Sequence, residues 1–134
     1  MTPPPGHLQV LIVEDDEVTL NTYARSLELQ GYDVRTALTA ESAWHEAEVH
    51  RPDAMIVDLR LPGVDGLELL RRLRASERYR HIPVAIVTGD YFLRETMPSE
   101  LQQLGAIIAF KPLWLEDLMT LVERLLTNRP KDSA

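Results

Sequence analysis

Four places in this sequence put a chemically useful side chain where a short apolar run gives way to a loop. Asp15-Asp16 follow Val10–Val13, Asp58 follows Met55–Val57, Thr88 follows the run that ends at Val87, and Lys111 follows Ala106–Phe110. Three carboxylates brought to one place repel each other, and such a cluster is stable only where cations offset it. Oxygen donors of this kind suit a hard divalent cation such as Mg²⁺, with Mn²⁺ as a substitute, and neither His nor Cys joins them to favour zinc. A lysine ammonium and a threonine hydroxyl beside that cluster are donors for a dianionic group, the usual company of phosphoryl transfer. Singly, each residue has a plainer role. Asp15 or Asp16 could cap a helix, Thr88 could make a turn hydrogen bond, and Lys111 could be a solvated loop lysine. Their common position at strand ends is what gives them weight.

The elements that must hold these residues follow from hydrophobic periodicity. Apolar or β-branched runs predict strands at Leu8–Val13, Tyr32–Ala37, Asp53–Val57, Ile82–Val87 and Ala106–Phe110. Between them lie helical stripes. The first is Leu20, Tyr23, Ala24 and Leu27, with Gly31 at the position after the helix end. The second is Ala40, Ala43, Trp44 and Ala47, closed by Pro52, with Trp44 expected in the core. The third opens at Asp65-Gly-Leu-Glu68, a start resembling a capping box, and turns Leu69, Leu70 and Leu73 inward. A weaker fourth uses Met97, Leu101 and Leu104 after Pro98. The last and cleanest is Leu115, Leu118, Met119, Val122, Leu125 and Leu126. Strand and helix alternate five times, which argues a parallel sheet covered by helices on both faces. All carboxyl ends of such a sheet lie on one edge, where open α/β folds place their chemistry.

Composition bounds the rest. The 134 residues fit one domain, expected over 8–127, between a proline-rich tail at 1–7 and a polar tail at 128–134. A net charge of −7 argues against direct binding of nucleic acid or of anionic membranes. The longest apolar run is too short to span a bilayer, and Met1-Thr-Pro-Pro-Pro-Gly6 lacks the charged start and apolar core of a secretion signal. A cytoplasmic location is therefore expected.

Taken in order, Leu11-Ile-Val-Glu-Asp-Asp16, Val57-Asp-Leu-Arg-Leu-Pro-Gly-Val-Asp-Gly66, Val87-Thr-Gly89 and Phe110-Lys-Pro112 resemble the receiver domains of two-component response regulators, over about Gln9 to Leu126. The resemblance implies a doubly wound, flavodoxin-like α/β fold, with five parallel strands in the order 2-1-3-4-5 flanked by five helices. It implies that Asp58 is the phospho-acceptor, taking a phosphoryl group from a sensor histidine kinase or a histidine phosphotransfer protein. Asp16, Asp58 and the backbone carbonyl of Arg60 would bind Mg²⁺, with Asp15 acting through the metal's water shell. Thr88 and Lys111 would hold phosphoryl oxygens, Gly89 would leave room for the group, and the Lys111–Pro112 bond would be cis. The signal would be read on the face of the fourth helix, fifth strand and fifth helix, by a downstream protein, an output domain or a second, phosphorylation-dependent copy. Such a module is a phospho-acceptor and catalyses only its own phosphoryl transfer and dephosphorylation. The alternative is an interaction module that works without phosphorylation.

Two positions depart from the family's habit, and two more bear on its tuning. Ile108 replaces the aromatic that usually moves with the threonine. Trp114 stands where the last helix usually takes a small capping residue, and is expected to present a partner surface. Arg60 and Asp90 occupy the two positions that tune loss of the phosphoryl group, and their opposite charges suggest a pair across the mouth of the site.

Overall fold

The computed structural model describes residues 8–89 and 99–127. Five parallel strands, β1 (Gln9–Val13), β2 (Asp33–Ala37), β3 (Ala54–Asp58), β4 (Val84–Thr88) and β5 (Ile107–Phe110), form one sheet in the order β2-β1-β3-β4-β5. Five helices alternate with them: α1 (Glu17–Leu29), α2 (Ala40–Val49), α3 (Gly66–Ala75), α4 (Ser99–Gln103) and α5 (Leu115–Thr127).

β1, β3, β4 and β5 read as near-unbroken apolar runs because both faces of the sheet are covered, whereas the edge strand β2, Asp33–Ala37, carries polar residues and is only partly buried. Period-two alternation divides them into two cores. Leu11, Val13, Met55, Val57, Val84 and Ile86 pack against Ala40, Ala43 and Ala47 of α2, Leu69, Leu70 and Leu73 of α3 and Leu101 of α4. Val10, Ile12, Ala54, Ile56, Ala85 and Val87 pack against Leu20, Ala24 and Leu27 of α1 and Leu118, Leu121, Val122 and Leu125 of α5. Each large aliphatic side chain so buried contributes about 1.5–3 kcal/mol. Trp44 meets the first core half-buried, its ring edge-on to Tyr79 at 5.2 Å and 83°.

Several boundaries differ from expectation. Leu8, Tyr32, Asp53 and Ile82 lie outside the strands, and Asp58 and Thr88 are the last strand residues of β3 and β4. Asp53 instead turns its carboxylate to the Gln9 amide, 2.7 Å away. Leu115 departs from the inward stripe of α5 and is 55% exposed, in the first turn of that helix. Leu121 takes an inward place the periodicity had not assigned. Met97 and Pro98 fall outside the described residues. Gly31 does sit just past α1, at φ +98°, where the Gly31 and Tyr32 amides donate to the Glu28 and Leu27 carbonyls in a Schellman turn.

Candidate functional site

Strand parity assembles the site. Glu14 extends β1 by one residue, its amide still donating to the Ala37 carbonyl of β2 at 3.0 Å. Counting by twos along each strand puts Glu14, Asp58 and Lys111 on the α1/α5 side, and there they meet. The Lys111 ammonium donates to Glu14 Oε1 at 2.8 Å and to Asp58 Oδ2 at 3.0 Å. Glu14 is 2% exposed and Asp58 6%, whereas the Lys111 side chain keeps 30% of its surface in contact with solvent. Burial alone would lower the pKa of Lys111. The hydrogen bonds to Glu14 and Asp58, and their charges, outweigh it and hold the ammonium above the ordinary lysine range.

The loop after Asp58 is tied back onto the strand. Asp58 Oδ1 accepts from the Arg60 amide at 3.1 Å, an Asx turn, and the Leu59 amide donates to the Val87 carbonyl of β4. Asp65 then caps α3, its carboxylate accepting from the Glu68 amide at 2.9 Å, while the Glu68 carboxylate pairs with Arg71 and Arg72. Gly66 brings α3 against the end of β3. Its amide donates to the Leu59 carbonyl at 3.0 Å, and a Cβ there would stand 2.4 Å from the Asp58 carbonyl oxygen. Only glycine allows that approach.

The acidic pair after β1 is shared out differently from the sequence expectation. Asp16 is the N-cap of α1, its carboxylate accepting from the amide and the hydroxyl of Thr19, bonds that lower its pKa. The carboxylates whose oxygens lie within 4.8 Å of one another are Glu14, Asp15 and Asp58. The sequence analysis therefore missed Glu14 and set Asp16 in its place. The missed signal was parity. Glu14 directly follows the last strand residue on the same alternation as Asp58, while Asp16 stands three residues before Thr19, the N-cap spacing.

The other candidates divide. Thr88 is fully buried at the end of β4, its carbonyl accepting from the Lys111 amide at 2.9 Å. Gly89 adjoins Lys111, with ordinary contact distance to spare for a Cβ. The Lys111–Pro112 peptide is cis. Ile108 pairs with Ile86 in the sheet and packs, partly buried, on the α3 side of the core. Arg60 is exposed, and Asp90 lies outside the described residues, so their pairing is not described. Trp114 is 70% exposed. It still occupies the N-cap position of α5, where Asp117 accepts its amide at 3.1 Å and its carbonyl accepts from Leu118, so the cap is supplied from inside the helix. Beside Lys111 runs an open groove of about 480 Å³, lined by Val18, Thr22 and Tyr23 of α1 and by Pro112 and Leu113.

A doubly wound sheet whose acidic strand ends meet one lysine now has known counterparts. The family described as response regulator receiver domain matches residues 10–123. The chain belongs to that family. It is 32% identical over 121 residues to the transcriptional regulatory protein PrrA of Mycobacterium bovis, covering 90% of this chain and 51% of PrrA. It is 38% identical over 80 residues to the polar-differentiation response regulator DivK of Brucella anthropi, covering 60% of this chain and 65% of DivK. The chain thus spans about half the length of PrrA. Among solved structures, the chemotaxis response regulator CheY4 of Vibrio cholerae superposes with a TM-score of 0.81 at 27% identity, over 89% of this chain and 98% of that one. The receiver domain of NtrX from Brucella abortus superposes at 0.78 and 29% identity, over 88% and 98%. Receiver domains are signalling modules of two-component systems that interact with histidine kinases and output domains. They generally bind Mg²⁺ at an acidic pocket. In this receiver the donor set fits such an ion. Three carboxylates against one ammonium leave two negative charges unbalanced, and all the donors are hard oxygens. No helix among the described residues is long and apolar enough to cross a membrane.

Proposed function

We propose that this receiver is switched by phosphorylation of Asp58. The observation that carries the proposal is the placement of that carboxylate, buried at the end of β3, oriented by the Arg60 amide and joined to Lys111. A carboxylate oxygen of Asp58 forms a bond to the phosphorus of a partner's phosphohistidine as the phosphorus–nitrogen bond breaks. The imidazole nitrogen leaves with the electron pair and takes up a proton, and the product is an acyl phosphate. Lys111 holds charge on the phosphoryl oxygens and is itself held in place by Glu14. Thr88 supplies a hydroxyl from β4. Glu14, Asp15 and Asp58 would hold Mg²⁺, together with the Arg60 carbonyl. When bound, the ion neutralises charge shared by carboxylates and phosphoryl group. Gly89 leaves the group space.

The donor is a histidine kinase or a histidine phosphotransfer protein. Its approach suits the groove beside Lys111, where Val18 stands 74% exposed. The added charge is read on α4, β5 and α5, with Ile108 taking the place of an aromatic switch. The listener is a downstream protein, an output domain or a second copy. We place this exchange in the cytoplasm.

Intact mass after incubation with Mg²⁺ and acetyl phosphate tests the proposal. Wild type should gain one phosphoryl group and Asp58→Ala none, and EDTA should abolish the gain. An unmodified wild type beside a modified receiver control would leave an interaction module that works without phosphorylation.

A further inference from the structure

At the other end of the sheet, away from Asp58, a pocket of about 240 Å³ opens where β4 and β5 begin. Its wall carries Arg74, Arg80 and His81, with Pro83, Leu104 and Leu125 as apolar surface, and no carboxylate lines it among the described residues. This is unexpected in a chain with 21 acidic and 14 basic residues.

Arg74 is the fixed member. Its Nε donates to the Leu104 carbonyl at 2.6 Å, and its Nη1 donates to the Ile82 carbonyl at 2.7 Å and the Arg80 carbonyl at 3.1 Å. Those bonds explain why the guanidinium is held there, as a strut between α3, the turn before β4 and the end of α4. They do not explain why two more residues with basic side chains line the same pocket. Arg71 and Arg72 nearby are spent on Glu68 and Glu100, whereas Arg74, Arg80 and His81 have no ion pair among the described residues. A half-buried guanidinium without a counter-charge costs desolvation that carbonyl dipoles offset only in part, and an anion completes it.

We propose that this pocket binds a small oxyanion of the phosphate class. The size fits, being below the roughly 300–1,000 Å³ of sites for drug-sized ligands. The chemistry fits too, since the Arg74 guanidinium, held rigid with its Nη2 outside those bonds, and the exposed Arg80 beside it offer charged donors to a compact tetrahedral dianion. The site is separate from the acidic edge and does not rest on Asp58.

The experiment is an amide NMR titration of the full chain with inorganic phosphate, free of Mg²⁺ and at constant ionic strength, with sodium chloride as the control. Saturable shifts are expected at residues 80–82, 84 and 104–107. They should persist in Asp58→Ala and weaken about tenfold or more in Arg80→Gln, the loss expected for one charged hydrogen bond. Arg80 is exposed, so the variant should fold; if its spectrum shows otherwise, His81→Gln serves the same comparison. Shifts equal to those from chloride would overturn the proposal. So would unaltered binding in the folded variant, or shifts that vanish in Asp58→Ala.

Discussion

Asp15 and Asp16 are neighbours with separate tasks, one in the carboxylate cluster and one at the head of α1. Asp15→Ala should weaken Mg²⁺ binding by at least the ~10–100-fold that loss of even an outer-shell partner costs. Asp16→Ala should leave that affinity within about twofold and lower the urea midpoint instead. Titration followed by tryptophan fluorescence separates the two, and the opposite ranking would restore Asp16 as the ligand. Lys111→Met leaves Glu14 and Asp58 buried without their ammonium. The loss should be about 2–3 kcal/mol, below the ~3–5 of a fully buried pair because Lys111 is 30% exposed. The folded-state pKa of Lys111 lies above its ordinary 10.5. Its contribution is therefore fully present below that value and is lost only as pH rises through the higher folded one. Denaturation at pH 7 and pH 9 should give the same difference between wild type and variant. Asp58, Thr88 and Lys111 could be read from the sequence because each is the first polar residue after an apolar run. Glu14 obeys the same rule after Val13, but three acids follow β1 in a row, and only strand parity, which charge does not show, singles out the one that the strand still orients.

At the scale of elements, alternation and capping signals were strong enough to place every strand to within two residues and to find the start of α3, while the Asp16 cap of α1 stood only as the plainer alternative to a metal ligand. What the pattern could not supply was the ends of things. Ile82 and Tyr32 are apolar for reasons of packing rather than pairing, and Leu115 continues the stripe of α5 yet is exposed. The tightest join, Gly66 against Asp58, is invisible to periodicity because it depends on a backbone approach. Gly66→Ala should cost at least about 2–3 kcal/mol, at the upper end of overpacking. Gly63→Ala, where φ is +73° and nothing lies within 4 Å, should cost about 1 kcal/mol. Urea midpoints of the two variants check the order, and equal losses would mean that α3 retreats freely.

On the scale of the whole molecule, charge is divided between the ends of the sheet, acidic where the strands finish and basic where β4 begins. A divalent ion that binds the folded cluster stabilises the whole domain by mass action, about 2.7 kcal/mol at a hundred times Kd. Melting temperature should therefore climb with Mg²⁺, on the order of 10 °C at that excess for a domain of this size. The rise should shrink in Asp58→Asn, and an equal rise in both proteins would place the ion elsewhere. The fold class was legible at this scale, since β-α alternation permits few topologies; the basic pocket was not, since its residues come from three separate elements. The Lys111 bridge has one more consequence. It reaches back 97 residues to Glu14 and 53 to Asp58. A chain emerging from the ribosome therefore carries its acids long before it has their counter-charge. Until the fifth strand arrives, Glu14 and Asp58 lack the ammonium that joins them in the finished domain.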